Sequence, residues 1–102
     1  MQNSVLPVVV AHGEGRVITA GHDQLTTLRY VDSYHRVTEQ YPFNPNGSLA
    51  GVNGFCSKDG RVTIMMPHPE RVFRRAQYSW CAPDVPISPW RHFFANAARW
   101  CN

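Results

Sequence analysis

The chain has 102 residues and a mass of 11.6 kDa, enough for one small domain or for part of a larger one. Its 43% hydrophobic and 12% aromatic content excludes a compositionally disordered chain, and its 17% of charged residues, below the roughly 25% usual in soluble domains, points to surface that is meant to be covered. The net charge of +3 comes almost wholly from arginines, which are scattered, with Arg71, Arg74 and Arg75 the densest group; a nucleic-acid interface calls for a longer basic stripe with interleaved aromatics, so no nucleic-acid partner is expected.

The longest purely apolar run, Val8 to Ala11, is far short of the ~20 residues of a membrane span, and Met1-Gln2-Asn3-Ser4 lacks the charged start of a secretory signal. No membrane partner is expected. Cys56, Cys81 and Cys101 are odd in number and no pair has CxxC spacing. That argues against a disulfide framework or a four-cysteine zinc site, and makes a reducing cytoplasm the expected location.

Val5 to Ala11 is rich in valine and broken only by Pro7, which reads as a buried strand. His12-Gly13-Glu14-Gly15-Arg16 is a turn, and Val17 to Gln24 a connector. Leu25 to Val31 reads as a strand. Arg36 to Tyr41 alternates at period two and is expected to pair with it across an Asp32-Ser33-Tyr34-His35 turn. Pro42 to Gly51 is a loop, since Asn44-Pro45-Asn46-Gly47-Ser48 is a run of turn residues. Val52 to Ser57 and Arg61 to Met66 flank Lys58-Asp59-Gly60, a hairpin signal.

Pro67 and Pro69 push Met66 and His68 towards extended backbone. Arg71 to Trp80 is a candidate helix start, and Cys81 to Ser88, with Pro83 and Pro86, is irregular. The clearest helix is the last. Ser88 is placed to cap it, Pro89 suits its first position, and Trp90, Phe93, Phe94, Ala97 and Cys101 make one apolar stripe. No internal repeat is present.

The sharpest chemical feature is His68-Pro69-Glu70. Residues two apart in extended chain share a side, so the imidazole and carboxylate can meet or converge on one ligand. An imidazole oriented by a carboxylate is the base half of a nucleophilic triad. A surface proline turn that carries a His and a Glu is the bland alternative. A metal site is a third, needing another ligand from elsewhere. None of the cysteines stands in a Gly-x-Nuc-x-Gly elbow, so each reads as a small core residue and no nucleophile is evident. His12, at a strand end, either faces a ligand or is a turn histidine; His22, His35 and His92 have no evident partners. Trp80, Trp90 and Trp100 read as core or interface packing.

Four blocks in order carry a resemblance: Val9 to Arg16, Leu28 to Asp32, Tyr41-Pro42 with Asn44 to Ser48, and Gly60 to Phe73 with its Met66-Pro67-His68-Pro69-Glu70. Together they resemble the C-terminal end of the large single-chain phosphoribosylformylglycinamidine synthases, over roughly residues 7 to 101. A lone Pro-His-Pro-Glu is much less specific, being shared by many class I glutamine amidotransferases. The resemblance implies an α/β fold, the C-terminal portion of a class I amidotransferase domain, with strands and a hairpin followed by a terminal helix. It implies His68 as base and Glu70 as its orienter in a Cys-His-Glu triad acting on glutamine. The family's cysteine elbow and its ATP- and magnesium-using synthetase domain lie upstream of the matching region. Residues 1–102 are therefore expected to be a partial glutaminase domain that binds no cofactor itself and is inactive alone. The missing synthetase and glutaminase portions would be its partners. The rival expectation is a relic or partner-binding module without activity.

Overall fold

The computed structural model describes residues 1–18 and 25–102, as two compact units: Met1–Val9 with His68–Asn102, and Val10–Pro67. Most of the expected Val17 to Gln24 connector lies outside the described residues. The elements are a three-stranded antiparallel sheet in the second unit and a terminal helix in the first, a small α/β set of the kind expected.

In the Val10–Pro67 unit, β1 (Leu25–Arg29) pairs with β2 (Val52–Cys56), and β2 with β3 (Thr63–Met65), in the order β1-β2-β3. The β2–β3 hairpin is the expected one. It closes over Lys58-Asp59-Gly60, where Gly60 takes φ +72° and Asp59 accepts hydrogen bonds from Ser57 Oγ and the Arg61 amide.

The expected pairing of Leu25–Val31 with Arg36–Tyr41 shrinks to a single bridge, Val31 to Val37. Two causes are visible. Asp32 Oδ1 accepts from the amides of both Tyr34 and Arg36, and Oδ2 holds the Arg36 guanidinium, which makes a tight turn rather than a long hairpin. The Tyr30 amide then donates to Gly51 O at 2.7 Å, so β2 takes the place beside β1. Gly51 is required there. Its φ is +66°, and a Cβ would lie 2.9 Å from Tyr30 O and 3.0 Å from a Val37 methyl.

The loop from Pro42 to Gly51 is a loop as expected, ending in a 3₁₀ turn at Leu49–Gly51. It is organised by polar burial. Asn44, 1% exposed, donates to Thr38 O and Ser48 O and accepts from the Ser48 amide. Ser48, fully buried, accepts the Val17 amide, and Asn46 donates to Gly13 O. The loop therefore pins the Gly13–Val17 turn. Tyr30, Val52 and Asn53 are also buried, and burial raises the Tyr30 phenol above its ordinary pKa.

The expected buried strand Val5–Ala11, most of which falls in the other unit, is not formed. Val9 makes one antiparallel bridge to His68, Val5 is exposed, and Leu6, Val8 and Val9 are half-buried. Pro7 offers no N–H to a neighbour, and its carbonyl instead accepts the Trp90 indole N–H at 2.7 Å. The expected helix start within Arg71–Trp80 is replaced by two short 3₁₀ turns, Pro69–Val72 and Arg75–Gln77.

The last element is helical as expected, α1 (Arg91–Cys101). Its start differs. Ser88 makes no cap bond, because its hydroxyl donates to Val72 O, buried beside Tyr78 OH. Single turns from Ser88, Pro89 and Trp90 lead into the helix. Trp90 is 5% exposed and Val72 4%, forming the small core of this unit with Pro69 and Ser88. The rings of Phe73, Phe94, Phe93 and Trp90 run edge to face in series. No residue of α1 itself is buried, so most of its apolar stripe stays open. No helix of the described residues is long and apolar enough to cross a membrane.

Candidate active site

His68 is held by its backbone on three sides. Its amide donates to Val9 O at 2.7 Å, its carbonyl accepts the Arg71 amide at 3.1 Å, and the prolines before and after it are buried. Pro69 occupies the first position of a 3₁₀ turn, where a missing N–H costs nothing. The backbone leaves the extended region right after His68 (φ −112°, ψ 81°), so Glu70 sits on that turn rather than on a continued strand. The two side chains meet even so: His68 Nδ1 and Glu70 Oε1 are 2.9 Å apart. A turn started by a buried proline brings them together, not the alternation of extended chain.

A carboxylate only accepts, so the Nδ1 facing it carries the hydrogen, and in the neutral ring Nε2 keeps its lone pair. Glu70 is held ionised. The bond from His68 is the largest cause of its lowered pKa, followed by its own backbone N–H, with the Arg71 charge also contributing. The His68 side chain is about one-third exposed, which leaves the ring reachable from solvent. The arrangement can take a proton at Nε2 and bear the resulting cation against a fixed carboxylate.

The other sequence candidates do not join it. Cys81 is half-buried and Cys101 is exposed rather than part of a core; neither hydrogen-bonds to the His68 ring among the described residues. Cys56 lies on β2, opposite Leu25 and Thr63. His12 is half-buried with no partner for Nε2 among the described residues, and packs against Gly15, where a Cβ would fall 1.7 Å from its ring. His35 is in an exposed turn at φ +62°, His92 is exposed on α1, and His22 lies outside the described residues. Trp90 is core, but Trp80 and Trp100 are 77% and 61% exposed.

Among the described residues no three His, Cys, Asp or Glu side chains converge on a metal position.

A family model for the CobB/CobQ-like glutamine amidotransferase domain matches residues 1–101. The chain belongs to that family. An amidotransferase domain of this kind implies glutamine as its substrate, and an amidotransferase-type activity accords with a histidine whose Nδ1 is occupied by a carboxylate. The match spans nearly all of the chain, both units included. Sequence reasoning grouped Arg74 and Arg75 with Arg71 but did not find Arg91 on the same groove. Arg74, Arg75 and Arg91 flank one groove, although Arg91 is distant in sequence from the other two.

Proposed function

We propose that residues 1–102 are the C-terminal portion of the glutaminase domain of a phosphoribosylformylglycinamidine synthase, with His68 its acid–base residue and Glu70 the residue that positions it. The observation that carries this reading is the 2.9 Å His68–Glu70 contact in a proline-braced turn, inside the last of the four family-like blocks. The amidotransferase family match supports the glutamine chemistry.

In this reading the nucleophilic thiol comes from the upstream part of the domain. His68 Nε2 accepts the thiol proton as sulfur attacks the glutamine carboxamide, then delivers it to the departing nitrogen, which leaves as ammonia. The acyl thioester is hydrolysed by a water that gives its proton to the same Nε2, which passes it to the sulfur as the C–S bond breaks, and glutamate is released. Glu70 fixes the tautomer and opposes the imidazolium charge that appears twice in each cycle. Ammonia would then pass to a synthetase portion, where ATP and magnesium would supply the activation, ATP leaving as ADP and phosphate with the amide oxygen, so that formylglycinamide ribonucleotide would become formylglycinamidine ribonucleotide. The setting is cytoplasmic.

The test is a graft. Residues 7–102 replace the matching C-terminal segment of a complete synthase, and product formation is followed with glutamine and with ammonium salts. The reading expects both sources to work. A graft that uses ammonium but not glutamine would favour a non-catalytic module.

A further inference from the structure

The groove beside α1 has a charge pattern that the glutaminase reading does not use. About 300 Å³ in volume, it has an apolar floor of Phe73, Pro86 and Ile87 and a rim of Arg74, Arg75 and Arg91. All three arginines are exposed, and among the described residues no carboxylate lines the groove. None of the three takes part in an ion pair among the described residues, where the pairs are Arg36–Asp32, Arg61–Asp59 and His68–Glu70. Arg91 is also the first residue of α1, whose first turn has no acidic residue. A cation there opposes the positive end of the helix dipole, so the cluster and the helix terminus add to one another. Like charges gathered against a helix N-terminus do not serve the unit's own stability, whereas an anion lying between them relieves all of the repulsion at once.

From this we infer that the groove docks an acidic polypeptide segment, one that places an aliphatic or aromatic side chain on the Phe73–Pro86–Ile87 floor with carboxylates on either side of it. The floor favours a polypeptide over a bare anion. Phe73 is 36% and Ile87 52% exposed, and only a partner with apolar surface gains by covering them. Arginine is suited to the rim, since its planar fork takes a carboxylate through two parallel hydrogen bonds and its stem packs on apolar neighbours. The inference is independent of the roles given to His68 and Glu70.

Fluorescence anisotropy of the full chain with a labelled peptide, a leucine flanked on both sides by glutamates, tests it. The peptide should bind. Its glutamine analogue, and an analogue with serine for leucine, should each bind about tenfold more weakly or worse. Arg75→Gln and Arg91→Gln, both at exposed positions, should each weaken binding several-fold, while Arg91→Lys, which keeps the charge but not the fork, should weaken it less. The Arg75→Glu/Arg91→Glu chain should prefer a lysine-flanked peptide, a reversal that loss of folding cannot produce. Equal binding of the glutamate and glutamine peptides would overturn the inference. So would indifference to both Gln substitutions, or displacement of the peptide by inorganic triphosphate together with equal binding of the serine analogue, which would make the groove a simple anion site.

Discussion

Replacing Asn44 with alanine should unlock the Pro42–Gly51 loop while leaving the hairpin closed. The side chain makes three hydrogen bonds of 2.9 to 3.0 Å, and its loss affects them unequally. Ser48 O keeps the Gly51 amide as a partner, and Thr38 O lies in a half-buried position within reach of water. The Ser48 amide is left buried with nothing to donate to, which alone costs about 1–3 kcal/mol. With a few tenths of a kcal/mol for each of the other two, the total is about 1.5–3.5 kcal/mol, or roughly 10- to 300-fold in a local opening equilibrium. Amide hydrogen exchange reads this directly. Protection at Ser48 and at Val17, whose amide rests on Ser48 Oγ, should fall by that factor. Protection across the Gly54–Met65 and Cys56–Thr63 pairings should change little. Unchanged exchange at Ser48, or equal loss in the β2–β3 ladder, would refute the view that this one amide organises the loop.

Gly51→Ala should destabilise the same unit by about 1–3 kcal/mol, because a side chain at φ +66° is strained and its Cβ meets the Tyr30 carbonyl; chemical denaturation followed by exchange across β1–β2 measures it. Asp32 is held below its ordinary pKa of 3.8, chiefly by the Arg36 amide. Its contribution to the 32–36 turn is therefore fully present above 3.8 and lost as pH falls through the lower folded value, so the Tyr34 and Arg36 amide resonances should titrate below pH 3.8 and lose that titration in Asp32→Asn. Expressed alone, the chain should bind a hydrophobic dye, since α1 has no buried residue and Trp80, Phe94 and Trp100 are exposed; a dye-silent, cooperatively melting monomer would contradict this.

Local chemistry made part of this molecule readable from its residues. Asp59-Gly60 between β-prone runs became the β2–β3 hairpin, and Pro89 with the aromatic stripe became α1, because both signals depend on a few neighbouring residues. What stayed hidden depends on distant partners. Arg36–Tyr41 alternates like a strand, yet the place beside β1 goes to β2 because Gly51 brings its carbonyl to the Tyr30 amide. Ser88 has a capping residue's credentials, but the Val72 carbonyl takes its hydroxyl. Val5–Ala11 has a buried strand's composition without neighbours to bury it among the described residues. At the site, His68 and Glu70 were legible from spacing and proline placement, although a 3₁₀ turn at Pro69 is what joins them. The arginine rim was not legible, since Arg91 meets Arg74 and Arg75 only across the folded chain.

The central claim, that His68 is the proton carrier for glutamine hydrolysis and Glu70 its positioning residue, is tested most directly by the ratio of glutamine-dependent to ammonium-dependent turnover in the grafted synthase. His68→Ala should abolish the first and spare the second, because added ammonia bypasses glutamine hydrolysis. Glu70→Gln should lower the ratio less, since an amide can still hold the ring but no longer opposes the imidazolium charge. A His68→Ala graft that still turns over glutamine at the parent rate, or that loses both activities together while the parent graft has both, would contradict the assignment and leave the Pro67–Glu70 segment a structural turn.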